Sequence, residues 1–541
     1  MTLTQATPAL KAATLPFSSA GLLAPIVADY IKEDVFLRFF YQHDFSLEGI
    51  LEAVKSKKLT ATARKTLAEV LRDQYRHLDG SSLDAVSKNI DLLEKENTFT
   101  VTTGHQLNLF TGPLYVIYKL ASTINLAGQL KALQPAYNFV PVYWMASEDH
   151  DFGEINHINV YGKKIEWNEG QGGAAGRMTC GGFGSLIDEV EQLIGKMPYA
   201  VPLLDLMREA YSDGRSLSEA TRIFIHGLFG KYGLVILDPD VTALKDFFTG
   251  TMTDDALENT AYKKVSETIA LFGQRYKAQV HPREINLFYL DKNFRGRIEK
   301  DGDGFSVVGH EKKFTRASIA EEIKSKPGSF SPNVVLRPVY QETVLPNVAT
   351  VGGPAELSYW LEYKSVFGHY QVPFPCLVLR GMAMVTDRQL QTRMTKLGMS
   401  REDIFKPADA LIAEYIERNS DTSFLEEARK KIAGLFDAIA EKIAAIDPTL
   451  KASAEGEKQK GMKSVDTLDE KAKKALKRKN ETVVAQIEKI KSVLFPTGTM
   501  QERHDSFIPW YAKSGPDFID SIVRDLNPLE KKVFLFLEDQ A

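Results

Sequence analysis

Three stretches of this 541-residue chain concentrate residues able to do chemistry. The first reads Thr102-Thr-Gly-His-Gln-Leu-Asn-Leu-Phe-Thr-Gly-Pro-Leu-Tyr115. It follows a β-rich run and precedes a helical one. Gly104 suits a turn with positive φ, and Pro113 suits the first helical position, where a missing N–H costs nothing. The free N–H groups of that helix start would form an anion site for a phosphate or carboxylate, with His105 and Gln106 beside it. The pattern is neither Gly-x-Gly-x-x-Gly nor a P-loop.

The second stretch, Ser147-Glu-Asp-His-Asp-Phe-Gly-Glu-Ile-Asn-His157, sets Glu148, Asp149, Asp151 and Glu154 around His150 and His157. Crowded carboxylates raise one another's pKa and keep histidines protonated longer, which is how an acid–base pair is tuned near neutral pH. The spacing is not that of His-Glu-x-x-His, and no metal site is assigned. In the third stretch, Arg337 closes the apolar run Val334–Leu336, read as a strand, and is suited to a bidentate clamp on a carboxylate or phosphate. Gly352-Gly353-Pro354 repeats the glycine-then-proline helix start, with Glu356 in the first turn, where negative charge is favoured with or without a ligand.

The surrounding elements must bring these stretches together. Residues 1–96 read as mostly helical, with Ile26, Val27, Tyr30 and Ile31, then Leu67, Val70, Leu71 and Tyr75, at helical spacing. Residues 97–385 alternate β-rich runs (98–103, 139–145, 234–237, 285–290, 334–336, 376–379) with helices at 113–130, 216–229 and 255–276. That alternation predicts a parallel, helix-covered sheet; the glycine-rich 170–184 reads as a loop or insertion. Within residues 386–505, Ile432, Phe436, Ile439, Ile443, Ile446 and Leu450 form an a/d seam. After Asp447-Pro448 and a polar connection, a second helix is expected over 465–494, giving an antiparallel hairpin whose seam closes on its partner helix or on a second chain. Residues 506–541 return to the core.

Net charge is −4 and pI about 6.3, against a dedicated nucleic-acid binder. The run Lys471, Lys473, Lys474, Lys477, Arg478 and Lys479 has no interleaved aromatics and reads as a solvated helix face. The two cysteines, Cys180 and Cys376, are too few for a four-cysteine zinc site and suit a reducing compartment. No window resembles a membrane span or a signal peptide, so a cytoplasmic location is expected, with no membrane or nucleic-acid partner.

Together the blocks resemble the bacillithiol biosynthesis cysteine-adding enzyme family. The likeness runs through Thr103-Gly-His-Gln, Phe110-Thr-Gly-Pro-Leu-Tyr115, Glu148-Asp-His-Asp, Glu154-Ile-Asn-His157, Ser331-Pro-Asn333, Arg337-Pro, Val351-Gly-Gly-Pro-Ala-Glu356 with Tyr359-Trp360, Leu494-Phe-Pro and Gln501-Glu-Arg503. The resemblance implies an α/β fold: a Rossmann-like parallel-sheet core with connecting insertions, plus a C-terminal antiparallel coiled coil that mediates homodimerisation. It implies a ligase joining cysteine to glucosaminyl malate through an amide, with ATP or another nucleotide as energy source. The core would be similar to class I aminoacyl-tRNA synthetases, although neither His-x-Gly-His nor Lys-Met-Ser-Lys-Ser is present. On this reading Asp149 or His150 accepts the amine proton and His105 stabilises developing charge. Gly104, Gln106, Gly112, Tyr115, Glu148, Asp151, His157, Asn333, Arg337, Gly352, Gly353 and Glu356 contact substrate. The alternative is a non-catalytic thiol- or nucleotide-binding scaffold.

Overall fold

In a computed structural model the described residues are 10–538, apart from 79, 169, 421 and 422. The outer ends of the first and last expected segments, 1–9 and 539–541, lie outside them. The chain forms two compact units, residues 386–500 and the remainder.

The larger unit is built on five parallel strands: β1 (Thr98–His105), β2 (Asn138–Met145), β3 (Val235–Leu237), β4 (Asn347–Gly352) and β5 (Cys376–Leu379). Their spatial order is β5-β4-β1-β2-β3. The chain moves outward from β1 in one direction, then returns to build outward in the other. A crevice therefore opens between the carboxyl ends of β1 and β4, where open α/β sheets bind ligands. These strands are buried on both faces, as parallel sheets require. The threonines of β1 are tolerated because they are bonded: Thr100 and Thr103 hydroxyls donate to Asn347 Oδ1 at 3.2 Å and Val351 O at 2.8 Å.

The N-terminal helices seal both sheet edges. Tyr30 donates its hydroxyl proton to Leu377 O of β5 at 2.8 Å, and Tyr75 Oη accepts the Ile236 N–H of β3 at 2.8 Å. This segment is not wholly helical. Leu10–Pro16 is a strand, antiparallel to Lys532–Glu538, and its lysine, alanines and proline carry little strand signal.

Two insertions interrupt the sheet. The one between β3 and β4 carries a five-stranded antiparallel sheet, in which Leu287–Asp291 and Phe294–Asp301 form a hairpin and Phe330–Pro332 an edge. The 285–290 run thus joins this sheet and not the parallel one. The expected strand at 334–336 is instead a turn: Asn333 Oδ1 accepts the Val335 N–H at 2.8 Å, and a helix starts at Arg337. A short apolar run fits a buried turn as well as a strand. The expected helix 255–276 breaks at Asn259, whose φ is +53°.

In the 386–500 unit, Ser423–Ala444 and Leu450–Lys479 form the antiparallel hairpin, and Ala408–Asn419 packs on Glu481–Leu494. The supposed polar connection is helical: residues 451–464 are rich in Ala, Glu and Lys, good helix formers with almost no apolar periodicity to reveal them. The actual turn is the five residues 445–449, where Asp447 Oδ1 accepts the Thr449 N–H at 2.8 Å. A Cβ on Gly461 would lie 3.1 Å from Phe436 and 3.3 Å from Ile432, so glycine lets the helices approach closely at the seam. Lys473 pairs with Asp469 at 2.8 Å and Lys477 with Asp409 at 3.3 Å, so part of the basic run is neutralised locally.

Candidate active site

A cleft of about 700 Å³ lies at the carboxyl ends of β1 and β2. Gly104, His105 and Gln106 line it from β1, and Trp144 to His150 from β2. The inserted sheet supplies Phe288, Arg295 and Arg297; His281, Arg283, Asn333, Arg337, Glu356 and Tyr359 complete the wall. Gly104 permits a close approach: a Cβ there would stand 3.2 Å from Arg337 Nη1.

The rest of the first stretch turns away. Residues 110–112 take positive φ in succession, and Phe110 is buried against Phe183, Tyr211 and Phe224. The helix runs over Leu114–Leu133 with Pro113 as its N-cap, so it begins one residue later than expected. Its first N–H, from Leu114, donates to Asp505 O at 2.8 Å. The anion site expected there is therefore covered by the returning C-terminal segment. Gly112 does not line the cleft, and Tyr115 backs His105, ring centroids 5.3 Å apart.

Beneath the cleft, between β1 and β4, lies a side chain not singled out by motif. Lys119 Nζ, buried in the Leu114–Leu133 helix, donates to Gly104 O at 2.5 Å and to Glu356 Oε2 at 2.7 Å. Burial lowers the lysine's pKa, against the pull of Glu356. Glu356 also accepts the Gly353 N–H at 3.3 Å, so the helix over Pro354–Trp360 is capped from within. Gly352 and Gly353 shape this turn without lining the cleft. A lone lysine in the apolar run Tyr115–Ala121 was the available signal.

Among the acids, Glu148 is buried with Oε1 2.6 Å from Lys245, which also meets Asp240 at 2.8 Å. Burial raises the Glu148 pKa despite that lysine. It lines the cleft with its charge already partnered by that lysine. Asp149 stays in the cleft: Oδ2 accepts from Gln106 Nε2 at 2.7 Å and Oδ1 from the His150 N–H at 2.7 Å. Gln106 donates equally to Glu154, at 2.7 Å, so it spaces two carboxylates. Asp151 is exposed and His157 opens a separate hairpin; neither lines the cleft.

His105 is half-buried, and its pKa is pushed well down, first by desolvation and then by Lys119 and Arg380. A neutral ring offers a hydrogen bond and no positive charge. His150 Nδ1 lies 2.7 Å from Arg295 Nη1. Burial and Arg295 lower the His150 pKa, although Asp149 and Asp151 oppose them. Asn333 spends its amide on the turn before Arg337 and on Asn286, at 2.9 Å. Arg337 Nη1 reaches Gln341 Oε1 at 3.4 Å, and among the described residues no carboxylate forms an ion pair with it. The cleft thus combines the carboxylates of Asp149 and Glu154, the imidazoles of His105 and His150 with lowered pKa, and arginines whose charge suits an anion.

Residues 10–381 match the model described as bacillithiol biosynthesis BshC, N-terminal Rossmann-like domain, and residues 383–537 that of the BshC C-terminal coiled-coil domain. The chain belongs to the bacillithiol biosynthesis BshC family. Relatives named "Putative cysteine ligase BshC" include one from Flavobacterium psychrophilum, 37% identical over 522 residues, covering 95% of this chain and 97% of its own. Another, from Christiangramia forsetii, is 39% identical over 526 residues, with 95% and 97% covered. A more distant one, from Chlorobaculum tepidum, is 28% identical over 502 residues, with 88% and 89% covered. The BshC Rossmann-like match spans every cleft residue named above. The residues missed by motif reading, Lys119, Lys245 and Arg295, act through partners 237, 97 and 145 positions away.

Proposed function

We propose that this chain is the cysteine ligase of bacillithiol synthesis, forming an amide between the carboxyl of cysteine and the amine of glucosaminyl malate. The carrying observation is the cleft's division of charge. Glu148 and Glu356 are held by buried lysines, while Asp149 shares the space with Arg283 and Arg337. The arginines fit the anionic groups of substrate, whether carboxylate or phosphate. The amine nitrogen attacks the activated cysteinyl carbonyl, Asp149 accepts the nitrogen's proton, and neutral donors meet the oxygen that gains charge.

ATP or another nucleotide supplies the energy of carboxyl activation. Arg283, Arg297 and Arg337 are the side chains whose chemistry fits its phosphates. The reaction takes place in the cytoplasm, in keeping with two buried free thiols, each pushed up to about 12 by burial. Among the described residues no helix is long and apolar enough to cross a membrane. The seam of the 386–500 unit serves homodimerisation: Ile439, Ile446 and Leu450 remain exposed on the hairpin.

The test is a reconstituted assay with cysteine, glucosaminyl malate and ATP. Asp149→Asn is expected to lower kcat by about 100-fold or more while changing KM little. Full activity in this variant contradicts the proton-transfer role, and equal product without nucleotide contradicts the nucleotide requirement. Ligands bound without product, even with candidate partners added, support the scaffold alternative.

A further inference from the structure

A guanidinium carries only hydrogen-bond donors. The 2.7 Å contact from Arg295 Nη1 therefore requires His150 Nδ1 to be an unprotonated acceptor. The competing acceptor for a proton on Nδ1, Asp149 Oδ1, is 3.7 Å away. It is already engaged by the backbone N–H groups of His150 at 2.7 Å and Asp151 at 3.4 Å. Arg295 is itself fixed on several sides. Its Nε and Nη2 donate to Ser331 Oγ at 3.3 and 3.1 Å, and Nη2 reaches Pro332 O at 3.5 Å. Its flat face lies 3.7 Å from the centre of the Phe288 ring, and the His150 ring leans on the same phenylalanine, centroids 5.4 Å apart. Hairpin pairing explains this support: Phe288 is opposite Arg297, two residues from Arg295, so all three share one face.

We propose that Arg295 is a positioning residue that locks His150 as the Nε2–H tautomer, so that His150 presents a hydrogen-bond donor to the cleft and not a base. Which ring nitrogen carries the proton is set by what the other one contacts, and here that contact is a held cation. The groups facing the ring are Asp149 and Asp151 from its own loop, which favour protonation, and Arg295 and the apolar Phe288 from the hairpin, which oppose it.

The chemical consequence rests on the ligase reading; the tautomer does not. In amide formation the nitrogen lone pair forms the C–N bond and the carbonyl π pair moves to oxygen. When that pair returns, the bond to the activating group breaks and its electrons leave with that group. The nitrogen's proton passes to Asp149. His150 Nε2–H bonds the charged oxygen and keeps its proton throughout. Of the two residues first open to the proton-accepting role, Asp149 keeps it, and His150 joins His105 as a donor to the charged oxygen.

The experiment is long-range ¹H–¹⁵N correlation on the full-length chain labelled at histidine, with His150 assigned by its loss in His150→Gln. Near neutral pH the wild type is expected to show a pyridine-type Nδ1 and a pyrrole-type Nε2 at His150. Arg295→Met should abolish that single pattern and move the His150 titration midpoint upward, and Arg295→Lys should restore it in part. A protonated Nδ1 or a charged ring in the wild type overturns the proposal, even if no variant folds. So does an unchanged signature in folded Arg295→Met. Absence of ligase activity with the expected tautomer would overturn the ligase reading alone.

Discussion

At the scale of single residues, the cleft depends on charges that are spent before any substrate arrives. Lys119 and Glu356 form a nearly dry pair, with side chains 4% and 12% exposed. Such a pair contributes little over an apolar substitute, but removing one partner strands the other. Lys119→Met is therefore expected to destabilise the protein by about 3–5 kcal/mol, measured by urea unfolding. Lys119→Met/Glu356→Leu should recover much of that loss. The sequence made Asp149, His150 and Arg337 conspicuous, because acids, histidines and arginines crowd near glycine and proline turns. It did not reveal which of them were neutralised. That depends on partners such as Lys245, brought in from another insertion. Nor could it show that His150 meets Arg295, whose run Phe294–Asp301 alternates like a solvated strand.

At the scale of elements, the parallel strands were legible because continuous apolar runs separated by helices have few other solutions. The helix starts were legible in position but not in use: Leu114 serves Asp505, and Gly353 serves Glu356. The start of the Arg337 helix is held through Asn333 and Asn286 by Asp255, a buried carboxylate accepting from Asn286 N at 2.6 Å and Nδ2 at 3.1 Å. Burial raises its pKa from 3.8 to about 7, against those hydrogen bonds. Below about pH 4 both states carry the proton. Between about 4 and 7 the unfolded chain releases it while the folded chain keeps it, so this contribution to stability falls as pH rises and levels off above 7. Asp255→Asn removes the slope. Its stability relative to wild type, from urea unfolding, should improve by roughly 3 kcal/mol between pH 5 and pH 8. An unchanged difference would mean that Asp255 titrates as an ordinary carboxyl.

At the scale of the whole molecule, the strand order places the reversal between β1 and β4, and the three stretches marked by composition meet around it. The a/d seam was legible as a period, while the turn closing it was displaced because residues 451–464 form a helix with almost no apolar stripe. With Ile446 and Leu450 still exposed, light scattering at micromolar concentration is expected to give twice the 60.5 kDa chain mass. Ile439→Lys/Ile446→Lys should give the monomer; a monomeric wild type contradicts the dimer. The cleft at the carboxyl ends of β1 and β2 is where the reacting amine is held. The most direct test is a crystal structure of the full chain with glucosaminyl malate. The amine nitrogen is expected within hydrogen-bond reach of Asp149, and the malyl carboxylates on the arginines of the cleft wall. Substrate bound only on the 386–500 unit, with the cleft empty, would contradict it.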